Sequence, residues 1–372
     1  MRKIIALIIV IITFFQSGQE AYSQALQAKA VDPDQPWMLG PFQKTPEPIL
    51  GPNFDTPFAC PMLDEEVNWE ARAVIAGCPV VRNDSIHLIY YGEDDSAGLL
   101  RNKQGTYGVL RIGYAQGLSP TEFVRDSLPV VYPDDDSLAK YEHPRGCEIP
   151  RLVEGPDGTY YLYYNGYDGK TARLLVATSK DLRHWTKHGL VLHDQEGKPL
   201  TDLWSKSGAV VTTLQDGRLV AERINGRYWM YWGERPVQIA TSDDLIKWTL
   251  LTEDGKPVSA ISARPEGPDR DVTEPGVAVR TDDGIVLIYN NFMFGDNGEV
   301  ITSGLYQALF EADDPTQCIG RSDAPFLIAD REFEQYGCVN NVVFCTGIMY
   351  YQDQWHLYFN GGDWVLGHAT AD

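Results

Sequence analysis

Two glutamates occupy similar places in two similar stretches of the sequence. Glu148 lies within residues 146–151, Glu274 follows Thr273, and each stands just before an apolar run typical of a β-strand. Glycoside hydrolysis uses two carboxyl groups: an acid protonates the leaving oxygen, and a base or nucleophile acts on the other face of the sugar. A separation of about 6.5–9.5 Å leaves room for a water molecule and inverts the anomeric carbon. The pattern predicts Glu148 as general acid and Glu274 as general base.

A third carboxylate, Glu234, follows an aromatic run in another stretch of the chain. We expect Glu234 to help Glu274 activate water. Burial among aromatic side chains would raise the pKa of the acid towards the working pH. A purely structural role for Glu148 stays open, because Arg145 and Arg151 lie close enough in the sequence to form an ordinary ion pair with it.

The elements that would position these glutamates form a repeat. Five segments share one plan, an apolar strand, a tight turn and an aromatic strand, at intervals of roughly 60–70 residues. Repeats of this length, built of short strands and turns, are typical of β-propellers. No long segment has the 3.6-residue period of a helix. The markers of the five segments are Cys78, Cys147, Ser207, Thr273 and Cys338.

The predicted fold is all-β, a single-domain five-bladed β-propeller over residues 66–372. Its first strands would line an axis and point the residues at their starts into a funnel. The fifth repeat begins near the C-terminus, so the N-terminal arm, residues 25–65, is expected to help close the ring. The pattern Ser-x-Asp-Leu-x-x-Trp occurs at residues 179–185 and 242–248. There Asp can cap a tight turn and Trp can pack between blades, which is a structural role.

The first 24 residues have the pattern of a signal peptide. Arg2 and Lys3 precede an apolar run at residues 4–15, and Ala21 and Ser23 fit a cleavage site. The run is too short for a comfortable membrane span, and no Cys follows it closely. We therefore expect a periplasmic or secreted protein without a membrane anchor. The six Cys match no zinc motif, and we expect most of them to be buried residues rather than disulfides.

The amino-acid composition limits the classes of molecule that the protein is expected to bind. The formal charge of −21 disfavours a nucleic-acid partner, because phosphate binding uses Lys and Arg. A neutral oligosaccharide or glycan fits better, although acidity also serves solubility. We expect no cofactor and no bound metal, and a monomer or weak homo-oligomer.

Polar and aromatic residues cluster near the same predicted strand ends as the glutamates. Carboxylates can accept hydrogen bonds from sugar hydroxyls, and Trp can stack on the apolar face of a pyranose. Asp and Gly are also common in turns, so each position could serve its turn instead. The residues predicted on these grounds to contact substrate are Glu93, His143, Asp363 and Trp364.

Residues 146–151 read Gly-Cys-Glu-Ile-Pro-Arg, and residues 333–344 and 358–363 form two further blocks. These motifs resemble those of glycoside hydrolase family 130, the mannoside phosphorylases and mannosidases, and more distantly the five-bladed propellers of family 43. The resemblance runs from about residue 69 to the end of the chain, and its C-terminal block is the most specific. It implies a propeller that acts on mannosides, with substrate contacts from Arg151, Lys206 and Asn341.

One departure from the family pattern concerns the acid. The family's catalytic Asp falls on Ile149, so either Glu148 has taken the acid role, as the Glu of a Glu-x-Pro motif does in family 43, or the acid has been lost. In an extended strand a one-residue step reverses the direction of the side chain. Whether Glu148 faces the funnel is therefore decisive.

A second departure concerns phosphate. The phosphorylases carry an Arg and a His-Arg pair where this chain has Gly92-Glu93 and Trp232-Gly233, and only Lys206 matches a phosphate-binding position. A phosphate pocket without guanidinium groups would be poor, so the resemblance implies hydrolysis rather than phosphorolysis. We expect an exported, inverting glycoside hydrolase for mannoside-type or related bonds. The alternative is a non-catalytic glycan-binding propeller that has lost the family acid.

Overall fold

The strands form five successive groups of antiparallel neighbours, which a few parallel pairings and packing contacts join into a closed ring, and this confirms the predicted five-bladed β-propeller. The computed structural model describes residues 35–96, 108–264, 267, 269–295, 298 and 300–372. The predicted signal peptide, residues 1–24, lies outside the described residues. Within the described part of the chain, no helix is long and apolar enough to span a membrane.

The described elements fall into an N-terminal arm and five blades. The arm contains β1 (Gln43–Lys44), β2 (Asn53–Cys60) and β3 (Glu65–Glu70). Blade I contains β4 (Ala73–Arg82), β5 (Ser85–Glu93), β6 (Leu110–Ser119) and β7 (Glu122–Arg125). Blade II follows helix α1 (Ala139–Glu142) and contains β8 (Gly146–Glu154), β9 (Tyr160–Tyr167), β10 (Ala172–Ser179) and β11 (Thr186–Leu190), with β12 (Leu192–His193) leading out of it.

The remaining blades have the same order. Blade III contains β13 (Gly208–Gln215), β14 (Arg218–Ala221), β15 (Tyr228–Trp232), β16 (Val237–Ser242), β17 (Trp248–Leu250), the hairpin of β18 (Thr252–Glu253) and β19 (Lys256–Pro257), and β20 (Ser259–Ile261). Blade IV contains β21 (Val272–Thr281), β22 (Gly284–Phe294), β23 (Val300–Phe310), β24 (Cys318–Arg321) and β25 (Leu327–Ile328). Blade V follows helix α2 (Glu332–Gln335) and contains β26 (Val343–Tyr351), β27 (Gln354–Gly361) and β28 (Val365–Ala371).

Apolar and aromatic side chains hold successive blades together. Tyr163 of β9 and Trp248 of β17 are fully buried and pack edge to face between blades II and III, with ring centroids 6.1 Å apart. Burial of a large apolar side chain stabilises a fold by about 1.5–3 kcal/mol. The aromatic strands of the repeat therefore carry the contacts between blades.

The two Ser-x-Asp-Leu-x-x-Trp copies form the same turn, as predicted. Asp181 and Asp244 each accept hydrogen bonds from the backbone N–H groups two and three residues further on, at 2.8–3.0 Å. Leu182 and Leu245 are buried with φ of 69° and 64°. The turn fixes Trp248 in the contact between blades, so the motif is structural.

The first strand of blade II is interrupted by a bulge. Glu148 pairs with Asn165 and Arg151 with Tyr163, so one extra residue lies between the two pairs. Strands β4, β21 and β26 have irregularities at equivalent places. Ile149 lies in the bulge with φ of 50°, which is unusual for a β-branched residue. The regular alternation of side chains is therefore broken next to Glu148.

Asparagines on three second strands tie each blade to the following one. The side-chain oxygen of each accepts a hydrogen bond from a backbone N–H in the first-strand bulge of the next blade, or just before that strand begins. The pairs are Asn165 with Ser207 at 3.4 Å, Asn290 with Cys345 at 2.6 Å, and Asn360 with Ala76 at 2.7 Å. These bonds satisfy buried N–H groups that the bulges take out of the sheet ladder.

The N-terminal arm supplies the outermost strand of blade V. Strand β1 pairs antiparallel with β28, through Gln43 opposite Thr370. The ammonium of Lys44 donates to the fully buried carboxylate of Glu334 at 2.6 Å, and it also donates to the carbonyl of Ile328 at 2.6 Å. The arm is thus joined to the segment between blades IV and V as well as to β28.

The sequence-based start of the fifth repeat is wrong. Cys338 is exposed and lies in a turn, and β26 begins at Val343. The apolar residues around the marker imitate a strand, but the chain there is occupied by α2 and the turns after it. All six cysteines are free thiols, four of them buried, namely Cys60, Cys78, Cys147 and Cys345.

Candidate active site

One end of the ring, which we call the funnel end, carries five equivalent positions, one from each blade. Backbone pairing aligns Glu148 of blade II with Lys206 of blade III and Glu274 of blade IV. The same alignment gives Ile75 in blade I and Phe344 in blade V. Three successive blades therefore bring charged side chains to the funnel end, and the other two bring apolar ones.

Lys206 is the shared cation of this end. Its ammonium interacts electrostatically with four carboxylates that belong to four different blades. Burial disfavours the charged form of Lys206, but the carboxylates outweigh burial and raise its pKa. The structure thus brings together four of the carboxylates predicted from sequence, which we call the carboxylate cluster: Glu148, Glu234, Glu274 and Asp363.

Glu148 belongs to this cluster. Its side chain is partly exposed, and it interacts with the cations Lys206 and Arg145 and with the carboxylate of Glu274. Burial in the site raises the pKa of Glu148, and the two cations oppose the rise. The next residue, Ile149, is buried in an apolar core cluster. The bulge therefore separates the two side chains, and Glu148 lies on the charged side.

Glu274 is almost completely buried and has a dedicated hydrogen-bond donor. The hydroxyl of Ser207 donates to its Oε1 oxygen. Ser207 is itself fully buried with φ of 49°, and its hydroxyl lies 3.4 Å from Nη2 of Arg151. Ser207 thereby fixes one carboxylate oxygen of Glu274, the predicted base.

Arg151, predicted to contact substrate, lies at the ring axis rather than in the funnel. Its Nε donates to the carbonyl of Gly276 at 3.1 Å, and its Nη2 lies 3.3 Å from the carbonyl of Pro275 and 3.5 Å from that of Cys345. The side chain is buried. The guanidinium of blade II therefore links blades IV and V, and we interpret Arg151 as a structural residue.

Glu93 is tied to the site through Arg145. Its buried carboxylate accepts hydrogen bonds from Arg72 at 3.0 Å and from the N–H of Gly108 at 2.7 Å, and it lies 3.5 Å from Arg145. Burial raises the pKa of Glu93, and the two arginines lower it. Because Arg145 also interacts with Glu148, Glu93 holds one of the two cations that Glu148 shares.

The other two carboxylates of the cluster accept hydrogen bonds from neutral donors. Glu234 accepts a hydrogen bond from the indole Nε1 of Trp204 at 3.1 Å. Asp363 accepts one from the side-chain amide of Asn360 at 3.4 Å. Burial raises the pKa of Asp363, while Asn360 and Lys206 lower it.

For three residues predicted to contact substrate, the structure defines the burial or the backbone geometry. Trp364 is 39% exposed beside Asp363. His143 is partly buried, which lowers the pKa of its imidazole. Asn341 has φ of 59°, and its carbonyl accepts a hydrogen bond from the N–H of Ser303 at 3.0 Å. Their role in substrate binding stays a prediction.

Sequence reasoning missed three residues of the site. The sequence marks Ser207 only as a repeat position, although its place beside Lys206 could have suggested a role. Tyr91 is buried, and its hydroxyl interacts with Asp363 and Glu148; burial raises its pKa far above the usual range. Trp204 lies outside the repeated pattern and gave no signal.

The arrangement offers acid–base chemistry between blades. Burial raises the pKa of Glu148 in blade II, and a hydroxyl of the neighbouring blade III fixes Glu274 in blade IV. Across the described ranges, no three His, Cys, Asp or Glu side chains are grouped so that they could hold a metal ion.

A known protein family matches most of the chain. Residues 96–372 match the Glyco_hydro_130 family, described as β-1,4-mannooligosaccharide phosphorylase. A 1,2-β-oligomannan phosphorylase from Thermoanaerobacter sp. (strain X514) is 32% identical over 324 residues, which cover 86% of this chain and 95% of the relative.

Solved structures show the same fold at similar identity. A glycosyl hydrolase from Bacteroides ovatus is 35% identical with a TM-score of 0.85, over 93% of this chain and 97% of the other. A further structure carries the description that the GH130 family of mannoside phosphorylases contains glycoside hydrolases that target β-1,2 mannosidic linkages in Candida mannan. It is 35% identical with a TM-score of 0.85, over 92% of this chain and 96% of the other.

Proposed function

The chain belongs to glycoside hydrolase family 130, and from this premise we propose that it hydrolyses β-mannosidic bonds in oligosaccharides with inversion of the anomeric carbon. Glu148 is the general acid, and Glu274, helped by Glu234, is the general base. The family membership supports the β-mannosidic substrate. The charges of the site support hydrolysis.

The observation that carries this proposal is the charge balance around Lys206. Phosphorolysis places a phosphate beside the anomeric carbon, where it would meet the four carboxylates of the cluster. Like charges a few ångströms apart repel strongly in a partly buried site. Arg145 already lies against Glu93 and donates to the carbonyl of Gly108. A water molecule is neutral and meets no such repulsion.

The reaction then needs one proton donor and one proton acceptor. Glu148 gives its proton to the glycosidic oxygen as the bond between that oxygen and the anomeric carbon breaks. A water molecule attacks the anomeric carbon from the opposite face, and Glu274 takes the proton that the water loses. Burial raises the pKa of Glu148, which keeps the acid protonated at a higher pH.

Phosphorolysis is the second candidate, and the curated relatives favour it. The relative that is 32% identical is a phosphorylase, and Lys206 and Arg145 are cations that a phosphate could approach. Non-catalytic glycan binding is a third possibility, because Ile149 stands where the family keeps its catalytic Asp. The electrostatic contacts of Glu148 support an acid in this chain nonetheless.

Product analysis separates the three candidates. The purified protein is incubated with β-1,2- and β-1,4-mannobiose, with and without inorganic phosphate, and the products are followed by NMR. We expect mannose alone, at a rate independent of phosphate, with the α-anomer formed first. Mannose 1-phosphate that appears only with phosphate would overturn hydrolysis. Binding without any product would favour the non-catalytic candidate.

Export is a separate part of the proposal. The apolar run at residues 4–15 and the small residues before position 24 support a cleaved signal peptide. The N-terminus of the protein recovered from the periplasm or medium, measured by mass spectrometry, should lie close to residue 24. An uncleaved chain found only in the cytoplasm would contradict it.

A further inference from the structure

Trp204 is a large aromatic side chain that the fold leaves open. Its residue is 43% exposed, whereas Trp69 and Trp248 are completely buried in contacts of the core. Exposure of a single apolar residue is ordinary. What distinguishes Trp204 is that its surroundings hold the ring in one orientation.

The polar end of the indole is fixed by the carboxylate cluster. Nε1 of Trp204 donates to Oε1 of Glu234 at 3.1 Å. The ring of Tyr167 packs against Trp204 with centroids 6.2 Å apart and planes at 76°. A perpendicular contact covers at most one face of the indole, and 43% of the residue remains exposed to solvent.

Hydrogen bonds also fix the backbone next to Trp204. The N–H of Ser205 donates to the carbonyl of Ala172 at 2.9 Å, and the carbonyl of Ser205 accepts a hydrogen bond from the side chain of Asn165 at 2.8 Å. The Ser205 hydroxyl accepts a bond from the N–H of Leu174 at 2.9 Å. Trp204 is thus prepared for contact without further loss of conformational freedom.

The ring also lies beside the reacting groups. Trp204 stands two residues before Lys206, and its partner Glu234 interacts with the Lys206 ammonium. Tyr167 lies on β9 opposite Gly146 at the start of β8. Both aromatic residues therefore belong to the funnel end, at the junction of blades II and III.

We infer that Trp204 is the stacking platform for a second pyranose, next to the mannose on which Glu148 and Glu274 act. The apolar C–H face of a pyranose packs on an aromatic ring while its hydroxyls remain available for hydrogen bonds. This inference rests on the proposed function. It defines the substrate class as saccharides of two or more units, and it makes mannose alone a poor ligand.

The test measures binding without turnover. Calorimetric titration with an S-linked β-1,2-mannobioside and with mannose is applied to the wild type and to Trp204→Ala, Trp204→Phe and Phe54→Ala. Phe54 is an exposed aromatic residue on β2, outside the site, and so controls for loss of a surface ring. We expect Trp204→Ala to weaken disaccharide binding by about tenfold, or about 1.4 kcal/mol, and to leave mannose binding unchanged.

The Phe variant keeps a stacking ring but loses the hydrogen bond to Glu234, so it should fall between the wild type and the Ala variant. Phe54→Ala should bind as the wild type does. Unchanged disaccharide affinity in Trp204→Ala, or no disaccharide binding by the wild type, would overturn the inference. Tight, Trp204-dependent binding by a protein that releases no mannose from O-linked mannobiose would sink only the proposed hydrolysis.

Discussion

Strand β8 carries a glutamate near each end, and the two have different surroundings. Glu154 is buried, and its carboxylate has a dedicated partner, the guanidinium of Arg218. Glu148 is partly exposed and shares Lys206 with three other carboxylates. Burial raises the pKa of both residues.

The pair shows which property marks the site. A raised pKa does not separate the two glutamates, because burial acts on both in the same direction. A dedicated partner does separate them, since an ion pair of its own commits Glu154 to structure. Glu148 lies in a group of carboxylates that outnumbers its cations, and such crowding holds one carboxyl group protonated more easily.

The largest difference between the two glutamates of β8 should appear in the rate of the reaction. We expect Glu148→Gln to lower kcat for β-mannobiose by roughly 10²–10⁴-fold, the usual contribution of a general acid. Glu154→Gln should retain the wild-type rate, because Arg218 is partly exposed and stays solvated. Initial rates of mannose release measure both. Equal activity in the two variants would remove the distinction between the ends of β8.

The next effect concerns the positioning of the base. Replacing Ser207 by Gly removes the hydroxyl that donates to Glu274, while Gly tolerates the left-handed conformation at this position. Hydrogen bonds to charged groups contribute about 1.5–3 kcal/mol. We therefore expect kcat to fall by roughly ten- to a hundredfold, with KM little changed.

The control for Ser207 is Ser322. It is also buried, and its hydroxyl accepts a bond from the N–H of Gln307 at 3.1 Å, away from the carboxylate cluster. Ser322→Ala should lower the melting temperature and leave kcat unchanged. If Ser207→Gly instead lowers only the melting temperature, Ser207 is structural and does not position the base.

A smaller effect should appear in the pH profile. The positive charge of Lys206 lowers the pKa of Glu148, so Lys206→Met should raise it further. Activity requires the protonated acid and is lost as pH rises through that pKa. The basic limb of kcat/KM should therefore move to higher pH. Lys180→Met is the control, because Lys180 is exposed and pairs with Asp157, away from the carboxylate cluster. It should leave the basic limb of kcat/KM where it is. A shift of that limb to lower pH in Lys206→Met would contradict the assignment of Glu148 as the acid.

The smallest effect concerns stability. A glutamate with a raised pKa contributes stability that is present below the ordinary value of 4.5 and is lost as pH rises through its folded pKa. Glu148→Gln should therefore melt slightly higher than the wild type at neutral pH and lose part of this pH dependence. Glu154→Gln should gain less, because it also loses its contact with Arg218. Scanning calorimetry at pH 4 and pH 7 measures the melting temperatures of the wild type and both variants and so tests this ranking.

The fold could be predicted because its information is local and repeated. Each blade repeats an apolar strand, a turn and an aromatic strand, and the Asp turns are encoded within seven residues. The site could be predicted only in part. Glu148, Glu274, Glu234 and Asp363 were found because they stand at repeat positions.

The parts of the site that the sequence does not predict depend on contacts between blades. Ser207 reaches Glu274 across a blade boundary, and Arg151 spends its donors on carbonyls of blades IV and V. Neither the contact of Ser207 with Glu274 nor those of Arg151 with the carbonyls can be predicted from residue spacing along one strand. Trp204 lies in a non-repeated segment, and the start of β26 was placed too early because the turns before it contain apolar residues.

The pairing of β1 with β28 sets an order of events in synthesis. Thr45 donates to the carbonyl of His368, 323 positions further along the chain. Contacts of such sequence separation form late, because a long segment must first be brought together. A ribosome-bound chain therefore holds β1 without a partner until residue 371 has emerged, and blade V is the last to be completed. Until then the backbone N–H and C=O groups of β1 lack their partners in β28, so a chain stalled in translation would carry this short edge unpaired.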